Sequence, residues 1–424
     1  MSPELLVVIG DTVAATLTRL SAGRLRMDYR DEYRIRRAAT PLSVSMPTQV
    51  ASHADQTVTP WLWGLLPDNE AVLRRWARQF QASASSPFSM LGTPVGHDCP
   101  GAVRFASSDA VDELLTRPGQ VIWLSEEEVA ARLRELKRDG TLWLGSEFTG
   151  QFSLAGAQAK TALLYEDGRW GVPSGAAATS HILKPAVAGL DDHDLNEHLC
   201  MDAASRAGLL VARTWIARFE EESAIVVQRY DRHRDGGLVR VHQEDVCQAL
   251  GVPPSAKYER EGGPGVRDIA RLFRQVMAPR TAEDAVWRLV DALAWNWLIA
   301  GTDGHAKNCS LLLSGGEVRL APLYDVASAL PYGEHERKLR FAMRLGGDYR
   351  AYPDRNPWPT AAADLGVSGD ALVQRVGALA DRTPDALRDA ASTPDVVALD
   401  RRLPARLVDL VAGRVQRCQR ILDE

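Results

Sequence analysis

A chain of 424 residues is too long for one ordinary domain, so two or three compact units are expected. Apolar residues make up 45% and charged residues 25%, the balance of a globular protein that can bury a substantial core. The formal charge of −5 argues against a chain that grips nucleic acid by itself through a dominant basic face.

In chain order, the apolar run 5–9 is short and lacks both a basic flank and a small-residue cleavage site, so no signal peptide is expected. No eighteen apolar residues run together, which argues against a membrane span. Segments 5–10, 13–20 and 24–29 alternate as a small antiparallel sheet would. An apolar knot at 60–70 (PWLWGLLPDNE) leads into a helical stretch at 70–81, with Trp61 and Trp63 read as core or interface residues. Segment 125–136 has helical spacing and stops at the turn pair Asp139-Gly140. Residues 1–145 are therefore expected to form a separate N-terminal domain.

Beyond that point the pattern is strand-rich. Segments 161–165 and 169–172 flank the turn 166–168 as a hairpin, and 181–184 is a short strand stopped by Pro185. A helix over 195–207 ends at Gly208, and 224–227 is a β-branched run. This second unit spans 146–235, and the remainder, 236–424, reads mainly as helix. Thr281 with Asp284 is a variant capping box, and Val286, Leu289, Val290, Leu293 and Trp297 follow at buried-face spacing. Three or four amphipathic helices fill the chain from 361 onwards. Cys99, Cys200, Cys247, Cys309 and Cys418 have no paired spacing and read as small buried thiols in a reducing cytoplasm.

The long helix runs directly into Gly301-Thr302-Asp303-Gly304-His305-Ala306-Lys307-Asn308. Asp303 and Asn308 have the D-x-x-x-x-N offset of a kinase catalytic loop, in which Asp accepts the substrate hydroxyl proton and Asn binds Mg²⁺. A hairpin over 309–320 then leads to Tyr324-Asp325, where a second metal ligand sits in kinases. Either residue alone reads as a turn former, but loop spacing, hairpin and downstream Asp together favour the chemical reading. Upstream, 153–160 (SLAGAQAK) is neither a Walker A loop nor G-x-G-x-x-G, though its small residues let backbone N–H groups approach phosphate. Lys184 reads either as a solvated strand-end lysine or as a phosphate-pairing one. Glu197 reads equally as an exposed helical carboxylate or as the ion-pair partner of Lys184.

The order of SLAGAQAKTALL, HILKP, NEHLCMDAASRAGL, VVQRYDR, VHQEDVCQALG, YEREGGPG, NWLIAGTDGHAKNCSLL and LAPLYDVAS resembles the HipA kinases of bacterial toxin–antitoxin pairs. The first half joins in through WLWGLLPDNE and SPFSMLG. The resemblance implies an α+β fold: a small N-terminal α/β domain, then a bilobal protein-kinase-like domain with a largely helical C-terminal lobe. It implies Asp303 as catalytic base, Asn308 and Asp325 as Mg²⁺ ligands, and Lys184 on the ATP phosphates. Ser153, Ala155, Gly156, Ala157, Gln158 and Lys160 would belong to the loop over those phosphates. Gln228, Arg229 and Tyr230 would form the hinge that meets adenine through its backbone. Ser153 would be an autophosphorylation site, where added negative charge repels ATP. His305 and Lys307 match the motif, with His305 read as an orienting hydrogen-bond donor. Ala159 and Gln228 depart from the Glu that many members carry.

The implied function is a cytoplasmic, Mg-ATP-dependent serine/threonine kinase toxin. Its implied substrate is an aminoacyl-tRNA synthetase, and growth arrest is the implied result. A helix-turn-helix antitoxin of HipB type would bind the first domain and carry the pair to DNA, with no membrane involved. An alternative is a catalytically silent scaffold or co-repressor, disfavoured because Lys184, Asp303, Asn308 and Asp325 are all present. A metal-dependent hydrolase would need further ligand pairs, and the sequence has none at such spacing.

Overall fold

The computed structural model describes residues 3–147, 150–333, 335–352 and 354–424. Its N-terminal part is built on a five-stranded antiparallel sheet in the order Ser52–Ala54, Leu25–Tyr29, Thr12–Arg19, Glu4–Ile9, Val103–Ala106. Strand Glu4–Ile9 is apolar on both faces for a reason visible in its period of two. Leu5 and Val7 join the main N-terminal core, while Leu6 and Val8 meet Val111 and Leu114 on the other face. The first half of the expected knot at 60–70 is in fact the end of a helix, Asp55–Gly64, with Pro60 inside it. Trp61 is fully buried there. Asn69 then caps helix Glu70–Gln79 by accepting from the Ala71 and Val72 N–H groups.

A second, six-stranded antiparallel sheet runs Thr214–Phe219, Glu222–Gln228, His181–Lys184, Thr161–Glu166, Arg169–Ser174, Gln120–Leu124. Its edge strand, Gln120–Leu124, and the helix Glu126–Arg138 both precede the expected division at 145. They nevertheless pair and pack with the second sheet, where Val129, Ala130 and Leu133 meet Leu163, Trp170 and Leu183. The chain then returns, and Trp143, Leu144, Phe152 and Leu154 complete the first core. On pairing, Gln120–Leu124 belongs with the second sheet, because a hydrogen-bonded ladder outweighs chain order.

The C-terminal lobe is helical, organised around the helix Pro279–Ile299. Helices Val266–Val276, Trp358–Leu365, Gly369–Ala391 and Leu403–Leu422 pack into the same large core. The long helix starts earlier than Thr281: Ala278 is the N-cap and Pro279 opens the first turn. Proline suits that position, since its missing N–H would have no partner there anyway. A three-stranded sheet, His242–Asp245 with Ser310–Ser314 and Glu317–Leu320, faces the cleft from this lobe. The cysteines are free thiols; all are buried except Cys309, which is half-buried. No helix among the described residues is long and apolar enough to cross a membrane.

Candidate active site

A cavity of about 420 Å³ lies between the second sheet and the helical lobe. Strand His181–Lys184 is central in its sheet, pairing with both Thr161–Leu163 and Ile225–Gln228. Alternation turns Leu183 into the core and Lys184 toward the cavity. The Lys184 ammonium donates to Glu197 Oε1 at 2.7 Å and to Asp325 Oδ1 at 2.6 Å. Of the two readings of Glu197, the ion pair is the one observed, and its side chain is 1% exposed.

Burial alone would lower the pKa of Lys184, but Asp325 and Glu197 overcome it and hold the ammonium charged. Burial would likewise raise Asp325, yet Lys184 and Lys160 hold its carboxyl well below the usual range. Glu197 is pushed upward, mainly by burial, and its Oε2 has no hydrogen-bond partner.

The catalytic-loop candidate follows from the end of the long helix. Ala300 takes a left-handed conformation, φ 55°, and breaks the helix. Gly301 and Gly304 both lie against Asn296. A Cβ at either would stand 2.1 and 2.9 Å from that amide, so side chains there would displace the loop. Asp303 thus projects into the cavity, its side chain 68% exposed. Its Oδ1 accepts from the Tyr258 hydroxyl at 2.9 Å, and its Oδ2 is 4.0 Å from His305 Nε2.

His305 is buried and burial lowers its pKa. Its Nδ1 has no hydrogen-bond partner among the described residues and its ring packs edge-on against Tyr258 at 5.2 Å, so the expected orienting hydrogen bond is not seen. The Asn308 amide donates to the Asp303 carbonyl at 2.9 Å, which leaves Asn308 Oδ1 to act as a ligand. Asp325 follows the hairpin in a left-handed conformation, φ 59°, that brings it beside Lys184.

This donor set suits Mg²⁺, a hard cation that takes oxygen ligands and completes its shell with phosphate and water. Asn308 Oδ1 and the Asp325 carboxylate are the oxygens that would hold it. Among the described residues no group of three or more His, Cys, Asp and Glu has metal-binding geometry. A softer, all-protein site is therefore not the arrangement found.

The loop 153–160 closes over the cavity from the N-terminal side. Ala155, Gly156, Ala157, Gln158 and Lys160 line it, and Ser153 does not. Ser153 is fully buried, and its hydroxyl donates to the Leu65 carbonyl at 2.6 Å. Lys160 donates to the Ala155 carbonyl at 2.7 Å and sits over the Trp143 ring. Burial first, and the nearby Lys184 charge second, lower its pKa to about 8. Gly156 has φ +99°, a left-handed conformation that favours glycine, and a Cβ there would also press on Lys160 Nζ at 2.6 Å.

Gln228, Arg229 and Tyr230 border the opposite end of the cavity. The N–H groups of Gln228 and Arg229 are already given to Arg213 and Ser180 carbonyls. Of the three, the Tyr230 N–H is the backbone donor left for a ligand. The Arg229 side chain points away into a buried cluster with Asp98, Asp231, Arg232 and Arg240.

Sequence reasoning missed three residues of this cavity. Tyr258 holds Asp303, while Asp68, from the N-terminal domain, receives Lys307 at 2.6 Å and Lys257 at 3.0 Å. Lys307 is accordingly an interdomain anchor and not a free cation. Asp68 and Tyr258 stood within matching motifs and Lys257 directly before one, but only the domain packing brings position 68 within reach of 307.

The geometry is that of an α+β protein with a bilobal, kinase-like body behind a small N-terminal domain. Residues 5–106 match the HipA N-terminal domain family and residues 152–387 the HipA-like C-terminal domain family. The chain belongs to the HipA family. It is 35% identical over 380 residues to a candidate kinase, Y4mE, of Sinorhizobium fredii, covering 89% of both chains. It is 29% identical over 364 residues to the serine/threonine-protein kinase toxin HipA of Shewanella oneidensis, covering 82% of this chain and 80% of that one. The solved structure of Shewanella oneidensis HipA, in complex with HipB and operator DNA, superposes with a TM-score of 0.83 at 23% identity, covering 99% of both.

Proposed function

We propose that the protein is a Mg-ATP-dependent serine/threonine kinase and the toxin of a toxin–antitoxin pair. The observation that carries this reading is the convergence of the Lys184–Glu197–Asp325 cluster with Asp303 and Asn308 on one cavity. Lys184 would hold nucleotide phosphates, kept charged and fixed in direction by its two carboxylates. Asn308 and Asp325 would hold Mg²⁺, which would supply positive charge to offset negative charge on the nucleotide phosphates. Asp303 would accept the proton of the attacking hydroxyl. Its exposed Oδ2 is the group open to an acceptor, while Oδ1 is oriented by Tyr258. Adenine would meet the backbone at Tyr230, with the 154–158 loop laid over the phosphates.

Autophosphorylation at Ser153 belongs to the same proposal. In the conformation described its hydroxyl is buried against Leu65, so the loop has to leave the N-terminal domain before the hydroxyl can meet Asp303. By analogy with the Shewanella protein and its HipB partner, a HipB-type helix-turn-helix antitoxin is the proposed partner, with DNA reached through it. A cytoplasmic location and an aminoacyl-tRNA synthetase substrate complete the proposal on family grounds.

Incubation with Mg-ATP followed by peptide mass spectrometry tests the activity. Phosphate on Ser153 or on an added protein acceptor, lost in Asp303→Asn, is the expected result. A general base of this kind is worth about 10²–10⁴-fold. Undiminished transfer by Asp303→Asn would remove Asp303 from its role. ATP binding without any transfer by the wild type would favour the scaffold reading.

A further inference from the structure

Segment 65–69 of the N-terminal domain touches both loops that the proposed reaction needs. On the phosphate-loop side, the Leu65 carbonyl accepts from the Ser153 hydroxyl at 2.6 Å. The Asp68 N–H donates to the Gly156 carbonyl at 3.0 Å, and the Asn69 amide donates to the Ala157 carbonyl at 3.4 Å. On the other side, the Asp68 carboxylate takes Lys307 at 2.6 Å and Lys257 at 3.0 Å. One residue therefore holds the phosphate loop by its backbone and the catalytic loop by its side chain.

The segment is itself rigid. It is short, joining helix Asp55–Gly64 to helix Glu70–Gln79, and the Asn69 side chain caps the second. The first helix is pinned to the C-terminal lobe, where Gln248 donates to the Trp61 carbonyl at 2.8 Å. Gly64 makes that approach close: a Cβ there would stand 2.3 Å from Gln248 Cγ, and Gln248 is locked at its other end in a capping box with Asp245.

Lys307 is 3% and Asp68 11% exposed, so their attraction is poorly screened by solvent. The two lysines pull Asp68 below the usual carboxylate range although burial alone would raise it. Lys307 directly precedes Asn308 and stands four residues after Asp303. Pinning its side chain fixes the path of the whole 303–308 loop, which the Tyr324 hydroxyl also holds through the Lys307 carbonyl at 2.6 Å.

We infer that Asp68 is a positioning residue for phosphoryl transfer. In this account the N-terminal domain sets the closed phosphate loop and the seated catalytic loop as a single unit. Anything that moves segment 65–69 then disturbs both loops together. The inference rests on the kinase reading for its kinetic arm and on geometry alone for its structural arm. Asp68→Asn keeps the N–H to Gly156 and removes the charge facing the lysines, so it separates the two halves of the bracket. A shift of about 1 Å at a reacting centre can cost on the order of 10²-fold.

For Asp68→Asn in the full-length protein, kcat for transfer to Ser153 or an added acceptor is expected to fall about ten- to a hundredfold. The KM for ATP is expected to change less than about threefold, because the backbone contact to the phosphate loop remains. Amide exchange at 303–308 should speed up while exchange at 154–158 stays near wild type. Asn69→Ala, as the complementary variant, should speed exchange at 154–158 and raise the KM for ATP instead. Unchanged kcat together with unchanged exchange at 303–308 in Asp68→Asn would overturn the inference. Uniformly faster exchange throughout the protein would overturn it equally, by making the ion pair a matter of global stability. If the wild type transfers no phosphate, the kinase reading fails by itself, and the exchange measurements still decide the bracket.

Discussion

Two buried clusters of charge lie at the two ends of the candidate active site, and they are built on opposite principles. At the hinge, Arg229, Arg232 and Arg240 meet Asp98 and Asp231, and hydrogen bonds saturate the group. Arg229 reaches Asp231, Thr179 and the Cys99 carbonyl, while Arg232 reaches Asp98, Asp231 and the Thr179, Cys99 and Gly101 carbonyls. Asp98 takes Thr179 through both its backbone and its hydroxyl. At the phosphate end, Lys184 joins Glu197 and Asp325, but Glu197 Oε2 has no partner and the Asp325 side chain is 39% exposed. Lys184 and Glu197 are as buried as the hinge charges. The hinge group has no capacity left for a ligand, whereas the phosphate-end group keeps open acceptors toward a cavity. Unspent hydrogen-bonding capacity, more than burial, separates a binding site from a structural weld.

This contrast is broken or sharpened by substitution. The largest effect on folding is expected at Asp98, whose removal strands buried arginines. Asp98→Ala should cost about 3–5 kcal/mol in chemical denaturation. Lys184→Met should behave the other way round, with transfer activity down by at least about 10²-fold and stability down by less than about 2 kcal/mol. Burial already pushes Glu197 upward and Asp325 can turn to solvent, so the loss leaves less uncompensated charge. Equal stability losses in the two variants would abolish the distinction drawn between the clusters.

A third test lies at the junction of the N-terminal domain with the helical lobe. Glu244 is fully buried, accepts from the Val44 N–H at 2.7 Å, and is pushed up to about 8 from its ordinary 4.5, chiefly by burial. The folded state then holds a proton that the unfolded state releases above about 4.5. That stabilising contribution is full below the unfolded value and is lost as pH rises through about 8. Glu244→Gln cannot titrate, so its stability relative to wild type should climb by roughly 2 kcal/mol between pH 6 and 8, at about 1.4 kcal/mol per unit. A pH-independent difference between the two would show that Glu244 does not carry this proton.

The smallest expected effect is at Tyr258. Its hydroxyl holds one oxygen of Asp303 and leaves the other free, so Tyr258→Phe should lower turnover about three- to tenfold, the worth of one hydrogen bond at about 1 kcal/mol. Loss as great as in Asp303→Asn would make the tyrosine a full partner in the chemistry.

Much of this molecule was legible from its sequence because the signals were local. Period-two alternation marked the strands at 4–9, 12–19 and 25–29, and apolar spacing marked the helix ending at Ile299. The D-x-x-x-x-N offset and the hairpin before Asp325 are likewise contained in a few dozen consecutive residues. Legibility failed where a contact joined distant stretches. Strand 120–124 looked like part of the first unit, yet its ladder partner is Arg169–Ser174. Ser153 looked like a residue facing phosphate, yet Leu65 turns its hydroxyl inward.

By itself, then, the sequence determined many of the elements, the family to which the chain belongs and which residues are candidates for phosphate, metal and base. Those properties follow from side-chain periodicity and from short loops whose spacing is fixed by covalent geometry. Only the tertiary structure decided that Lys184 meets Glu197 and Asp325, that Arg229 faces away from the cavity, and that Asp68 reaches Lys307. Each of those depends on how separate cores dock. Docking is settled by burial of apolar surface summed over whole domains, a quantity that no local run of residues contains.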